Sequence, residues 1–225
     1  MATTLIWAVL PHHQQSQASR QAQQAARLFL DNWTDPDGRV VRRDQGGDSV
    51  SEGQAYGMLL AVVARDQGRF DLTWKWTAIH LQQADGLLAW RWSNGKVADE
   101  QSAADADIDA AWALSQAAVV FSRSSYANDS KRIAEAALAH ETVPTTTGRL
   151  LIAGPWATSG GQTTLNPSYL IGSTATMLGS ITGDQTWLAV ADSTRTLDQR
   201  LVTPTSLPPD WARLPAGAPA SQVVP

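Results

Sequence analysis

Apolar residues recur at intervals of three and four along most of this chain. Between Ser19 and Asn32 the positions Ala22, Ala25, Ala26, Phe29 and Leu30 fall on one face, which predicts an amphipathic helix that stops before the turn Asp35-Pro-Asp-Gly38. Residues 39–50 read as an exposed loop. A second helix is predicted from near Ser51 to about Ala64, with Ala55, Leu59, Val62 and Val63 turned inward. Five more follow at about 70–83, 107–122, 129–141, 168–182 and 185–202, separated by loops rich in Gly, Asn and Thr. Alternation with period two is almost absent, and residues 150–152 form the one plausible strand fragment. The fold-class expectation is therefore all-α. Pro204, Pro208, Pro209, Pro215, Pro219 and Pro225 prevent a continuous helix at the C-terminal end, which reads as extended.

No linker rich in Pro, Ser or Gly divides the first 200 residues, so one domain is expected. Residues 1–23 read as an N-terminal extension or the remnant of a targeting segment, and 24–225 as the main domain. The apolar run Leu5–Leu10 is too short to span a bilayer and has no basic residue before it. With 17% charged residues, 43% hydrophobic residues and a formal charge of −4, the chain is neither disordered nor polybasic. Nucleic acid is an unsuitable partner, because the densest basic group, Arg39, Arg42 and Arg43, neutralises too few phosphates. The absence of cysteine removes disulfides, thiolate metal sites and cysteine nucleophiles together. None of the four histidines has metal-ligand spacing, and neither a metal nor a cofactor is expected. Ten tryptophans stand against three Phe and three Tyr, an excess of flat amphipathic rings that suits stacking on sugars.

Two acidic segments lie where a loop meets the start of a predicted helix: Ser51-Glu52-Gly53-Gln54 and Asp105-Ala106-Asp107-Ile108-Asp109. Taken alone, Glu52 reads as a first-turn acid after a Ser51 cap, and the Asp run as a cap on the helix carrying Ile108, Ala111, Trp112, Ser115 and Val119. A calcium loop fails, because Ala110 replaces the turn glycine and Gln116 the bidentate glutamate.

The segments Ser51-Glu-Gly-Gln-Ala-Tyr-Gly-Met58, Ala103-Ala-Asp-Ala-Asp-Ile-Asp-Ala-Ala-Trp-Ala-Leu114, Asn166-Pro-Ser-Tyr-Leu170 and Pro209-Asp-Trp211 resemble, in that order, motifs of glycoside hydrolase family 8. Within the family they are most similar to the bacterial endoglucanases associated with cellulose synthesis. The resemblance covers roughly residues 24–215; Ala104 and Ala110 depart from the usual residues without removing a carboxylate. It implies an (α/α)6 barrel that hydrolyses β-1,4-linked glucan with inversion. It makes Glu52 the general acid and Asp105 the residue that holds the sugar at the cleavage point. It also implies that Gln54, Tyr56, Asp107, Asn166 and Tyr169 contact substrate. Trp90 and Trp92 flank Arg91 after the Asp85-Gly86 turn, and Trp156 follows Gly154-Pro155, so these three are expected to stack on glucosyl rings. Trp74, Trp76, Trp112 and Trp187 lie inside predicted helices and are expected in the core.

The family's general base is an Asp in a Tyr-Asp-x-x-Arg-like motif downstream of Pro-Asp-Trp, and the fourteen residues after Trp211 contain no acid. Asp192-Ser-Thr-Arg195 has similar letters but precedes that segment, and it reads as a solvated helix face. The chain therefore resembles the N-terminal two-thirds of the family's domain, with the barrel incomplete at its C-terminal end. Apolar positions of the last two helices, Leu170, Ile171, Met177, Leu178, Leu188 and Val190, are then expected to be partly uncovered, with self-association as a consequence. A β-glucan partner and an extracellular or periplasmic setting follow from the same resemblance. A glycan-binding pseudoenzyme is the alternative. A class II terpene cyclase-like barrel is set aside, since the Asp run does not end in two adjacent Asp and the Ser-Glu-Gly-Gln segment would have no explanation.

Overall fold

The computed structural model describes residues 16–169, 171–203 and 205–225; the run Leu5–Leu10, Leu170 and Pro204 lie outside the described residues. Seven helices appear among them: α1 (Gln17–Trp33), α2 (Ser51–Ala64), α3 (Gln67–His80), α4 (Ala104–Val120), α5 (Ser124–His140), α6 (Gly172–Thr182) and α7 (Thr186–Leu201). Local chemistry sets several ends. Ser16 caps α1 by accepting the Ser19 N–H, and Asp66 caps α3 by accepting that of Arg69 at 3.0 Å. Gly183, at φ 75°, closes α6 in the left-handed conformation. The boundary expected at residues 23 and 24 falls inside α1.

The helices alternate between an inner set, α2, α4 and α6, and an outer set, α1, α3, α5 and α7. This is the inner–outer alternation of an (α/α)6 barrel. The inner helices show why in their sequences. Helix α2 buries Ala55, Gly57, Met58, Ala61 and Ala64, while α4 buries Ala104, Ile108, Ala110, Ala111, Leu114 and Ala117. Small side chains on several faces let these two helices approach closely and pack on both sides. At one end Phe70 of α3, Phe121 at the close of α4 and Tyr126 of α5 form an aromatic cluster, with Phe70 and Tyr126 4.9 Å apart edge to face. Helices α3 and α5 thus begin where α4 finishes, and run against it. The N-termini of α2, α4 and α6 share the other end.

The expected all-α class is correct for the scaffold, which among the described residues also carries eight short strands, of which the sequence points only to the one that overlaps residues 150–152. They are β1 (Ser49–Val50), β2 (Arg91–Ser93), β3 (Lys96–Asp99), β4 (Thr142–Thr145), β5 (Gly148–Leu151), β6 (Thr158–Ser159), β7 (Gln162–Leu165) and β8 (Ala212–Pro215). Each has two to four residues, too short to show an alternating pattern; β2-β3, β4-β5 and β6-β7 are hairpins, whereas β1 finds β2 and β7 finds β8 far along the chain. The sheets order as β1-β2-β3, β4-β5 and β6-β7-β8. Strand β8 lies in the proline-rich tail and takes an edge position beside β7, where Pro215 removes no interior ladder bond. With Leu150, Ile152, Leu165, Leu197, Leu201 and Val223 it builds a second, smaller core against α7.

The segment 39–50 is a further correction. Val40, Val41, Asp48 and Ser49 are buried in it, because Asp48 accepts from Arg42 at 2.8 and 2.6 Å and from Arg91 at 2.8 Å, which pins the loop to β2. The two guanidinium groups hold the Asp48 carboxyl below its usual range against the opposing effect of burial. Gly38 starts this segment at φ +97°, and a Cβ there would lie 2.2 Å from the Leu72 carbonyl carbon. In the last two helices Leu178 and Val190 are fully buried, whereas Ile171 is 63% and Leu188 41% exposed. The expected uncovered face is therefore confined to fewer residues, since α6 and α7 bury much of it against each other.

Candidate active site

Glu52 occupies the first turn of α2 and Asp105 the first turn of α4. The preceding residues that cap these helices, Val50 and Ala103, have extended backbones and offer no side-chain cap, so Ser51 is the first helical residue rather than the expected cap. Parallel neighbouring helices bring the two carboxyl groups to one cleft made of two adjoining hollows, both lined by Glu52, Asp105 and Tyr169. One hollow continues over Tyr56, Ile108, Asp109, Trp112, Ile171 and Thr174. The other continues over Arg42, Val50, Ser51 and Trp90. The carboxyls thus sit mid-cleft with an indole toward either end.

Electrostatics follow from the geometry. Tyr56 donates its hydroxyl to Glu52 Oε1 at 2.9 Å, and burial followed by that carboxylate raises the phenol's pKa. Burial, then the charge of Glu52, pushes Asp105 up to about 6, although the Ala106 and Asp105 backbone N–H groups act in the opposite direction. Asp105 Oδ1 has no hydrogen-bond partner among the described residues. Asp109 also rises to about 6, through burial and then the charges of Asp105 and Glu52. Tyr169 is held at about 12 by burial, then Asp105 and Glu52. Burial and the charge of Glu52 therefore depress the ionisation of Asp105 and Asp109 in this partly desolvated cleft.

The structure gathers Glu52, Tyr56, Asp105, Trp90 and Tyr169, and it places the other expected residues elsewhere. Gln54 is fully buried: its Oε1 accepts the Val40 N–H and its Nε2 donates to Thr77 Oγ1 at 2.9 Å, tying the 39–50 segment to α2 and α3. Asp107 is also fully buried and accepts the Leu88 N–H at 2.9 Å. Trp92 packs on Trp76 and His80, at 5.7 and 4.6 Å between ring centroids, and supports β2 rather than facing the cleft. Trp156 is 42% exposed, but its Nε1 donates to Ser102 O at 2.9 Å and it lines neither hollow. Asn166 caps the turn before α6, its Oδ1 accepting from Ser168 N at 3.0 Å and Oγ at 2.7 Å; its side chain also meets Tyr169, but it lines neither hollow.

Two cleft residues escaped the sequence reading. Asp109 was passed over, and Trp112 was expected in the core. Both are at helical spacing from Asp105: positions 105, 108, 109 and 112 fall on one face of α4, and all four line the cleft. Of the other tryptophans expected inside, Trp74, Trp76 and Trp187 are buried. Trp211, in the Pro-Asp-Trp segment, stands edge-on to Tyr169 at 6.2 Å. The described residues offer no group of three or more His, Cys, Asp or Glu placed to hold a metal ion, and no helix among them is long and apolar enough to cross a membrane.

Comparison with known proteins bears on the same cleft. The chain is 35% identical over 198 residues to a probable endoglucanase of Novacetimonas hansenii, covering 84% of this chain and 57% of that protein. It is 33% identical over 202 residues to an endoglucanase of Cellulomonas uda, covering 87% of this chain and 56% of the relative. The chain thus spans just over half the length of these curated relatives. Among solved structures, endo-beta-1,4-glucanase CMCax from Acetobacter xylinum superposes with a TM-score of 0.84 at 29% identity, over 92% of this chain and 66% of that one. Residues 3–224 match glycosyl hydrolases family 8, and the chain belongs to that family.

Proposed function

We propose that this chain binds a β-1,4-glucan across the cleft between Trp90 and Trp112 and cleaves an internal glucosidic bond above Glu52 and Asp105. The observation that carries this reading is the convergence of Glu52, from α2, and Asp105, from α4, on one groove with an indole toward either end. The endoglucanase names of the relatives support the substrate class. A polymeric substrate of this kind fits an extracellular or periplasmic setting.

Glu52 protonates the leaving glycosidic oxygen, with the Tyr56 hydroxyl orienting its carboxyl through the 2.9 Å hydrogen bond. Asp105, with its unpartnered oxygen, accepts a hydroxyl of the sugar at the cleavage point. Asp109 faces the same hollow one helical turn further on and takes a neighbouring hydroxyl. Inversion needs a second carboxylate roughly 6.5–9.5 Å from the acid to activate water. No residue described here is assigned that role, so the reading expects slow turnover by this chain alone while binding persists.

The test measures reducing ends released from carboxymethylcellulose together with quenching of tryptophan fluorescence by cellohexaose. Glu52→Gln should lower the residual rate about 10²–10⁴-fold, the share a positioned general acid contributes, and leave quenching intact. A Glu52→Gln protein as active as its parent would refute the assignment. Binding by the unmodified chain with no hydrolysis at any pH would favour the glycan-binding pseudoenzyme instead.

A further inference from the structure

Behind the cleft lies a second pair of carboxyl groups that the hydrolytic reading leaves unused. Asp107, in the first turn of α4, and Glu141, where α5 passes into β4, are both 0% exposed. Each has one oxygen satisfied. Asp107 Oδ1 accepts the Leu88 N–H at 2.9 Å, and Glu141 Oε1 accepts the Ser102 hydroxyl at 2.9 Å. Each also has one oxygen, Asp107 Oδ2 and Glu141 Oε2, that receives no donor among the described residues. The two side chains stand within hydrogen-bonding reach of each other. Two neighbouring, fully buried carboxylates, each with an oxygen that receives no donor, are untenable as a dianion, whereas one proton between them satisfies both.

Among the described residues no neighbouring cation acts on the pair. The charges that act on the pair from neighbouring elements are Asp105 on the same turn of α4 and Asp85 in the loop before Leu88, both negative. The nearby Arg149 of β5 spends its guanidinium on Thr142 and the Leu138 carbonyl. Around the pair, Ala104 N–H donates to Ala153 O and Ile152 N–H to Glu141 O, so the α4 start, the α5 end and β5 meet here.

We propose that Asp107 and Glu141 share a single proton between Oδ2 and Oε2, and that this clasp fixes the first turn of α4 and thereby positions Asp105 in the cleft. The positioning claim rests on the cleft reading above. Asp107 and Glu141 are positioning residues: neither touches the groove. Burial is the largest cause of a raised pKa in both, carrying Glu141 to about 8 and Asp107 well above the usual carboxyl range; the charge of Glu141 adds to the rise at Asp107, and those of Asp105 and Asp85 to the rise at Glu141. The pair titrates as a unit. Because the folded state holds the proton more tightly than the unfolded one, stability is greatest in acid. It declines as pH rises from the ordinary carboxyl range toward about 8, where the native clasp itself loses its proton.

The experiment compares the full chain with Glu141→Gln, whose amide N–H replaces the shared proton at every pH, and with Glu141→Ala, which has no donor. Melting temperature and amide-exchange protection of the Ile108 and Asp109 N–H groups, corrected for intrinsic rates, are followed from pH 6 to 9. For the unmodified chain both should fall, protection by about tenfold between pH 7 and 9. Glu141→Gln should flatten both curves, and Glu141→Ala should lower both throughout. A Glu141→Gln protein that keeps the parent's pH slope would overturn the shared proton. A flattened melting curve with unchanged α4 protection would overturn the positioning claim. Cellohexaose quenching at pH 6 reports separately on the cleft reading, since none of these outcomes depends on glucan binding.

Discussion

The first two turns of α4 carry three aspartates into two environments that differ more than their spacing suggests. Asp105 and Asp109 border an open groove, while Asp107 points the other way into a closed pocket against Glu141. The cleft carboxyls gain their raised pKa values from partial burial and from the charge of Glu52, with Asp105 adding to the rise at Asp109, and they border the open groove. The buried pair gains its shift from complete desolvation and holds backbone groups instead. Two residues along one helix thus separate the cleft from the scaffold, and the direction of the side chain decides which is which.

The contrast can be attacked directly. Glu52→Gln, the largest effect expected, should remove activity by the 10²–10⁴-fold already given while urea unfolding stays within about 0.5 kcal/mol of the parent. Asp107→Ala should do the reverse. It strands the Leu88 N–H and leaves Glu141 unpartnered, so a loss of about 2–4 kcal/mol is expected by urea denaturation. If Asp107→Ala instead kept full stability and lost only substrate binding, the division between cleft and scaffold would be wrong.

Asp105→Asn sharpens the comparison through pH. The Asp105 carboxyl has its pKa raised in the folded state to about 6, so its ionised form opposes folding as pH rises above the ordinary carboxyl range. Removing that charge should therefore raise stability at pH 8 by about 2 kcal/mol, vanishing near pH 4, even as activity falls. Equal melting temperatures for Asp105→Asn and its parent at pH 8 would contradict the electrostatic picture of the cleft. Tyr56→Phe should cost less, about tenfold in rate, because it removes one neutral donor from Glu52 and no charge. The smallest effect is expected at Asp192→Ala. Its exposed ion pair with Arg195, at 2.7 Å, should contribute under about 0.5 kcal/mol, and neither melting nor activity should move measurably.

Much of the scaffold was legible in the sequence because helices are short-range objects. The three-and-four periodicity of α1, the Ser51 start of α2 and the place of Trp187 within α7 all follow from neighbours a few residues away. The family motifs located Glu52 and Asp105, and the same α4 spacing that places Asp105 in the cleft also marks Ile108, Asp109 and Trp112. Spacing marks Asp109 as a companion of Asp105, and a position inside a helix does not by itself place Trp112 inside the core.

Other features have no local signature. Val40 and Val41 are buried only because Asp48, held by Arg42 and Arg91, draws the 39–50 segment against α2 and β2. Strands of two to four residues exist through partners up to some fifty residues away, as Leu165 with Ala212 shows. Gln54 carries the right motif letter for a substrate contact, yet it turns inward to serve Val40 and Thr77. By itself the sequence determined the helical periodicity, the family motifs and the identity of the acids, because each is written in local spacing and residue type. Which of those acids meets water, and which meets another acid, was decided only when α2, α4 and α5 packed. Burial and the distance between two charges are properties of the packed helices, and no short stretch of chain contains them.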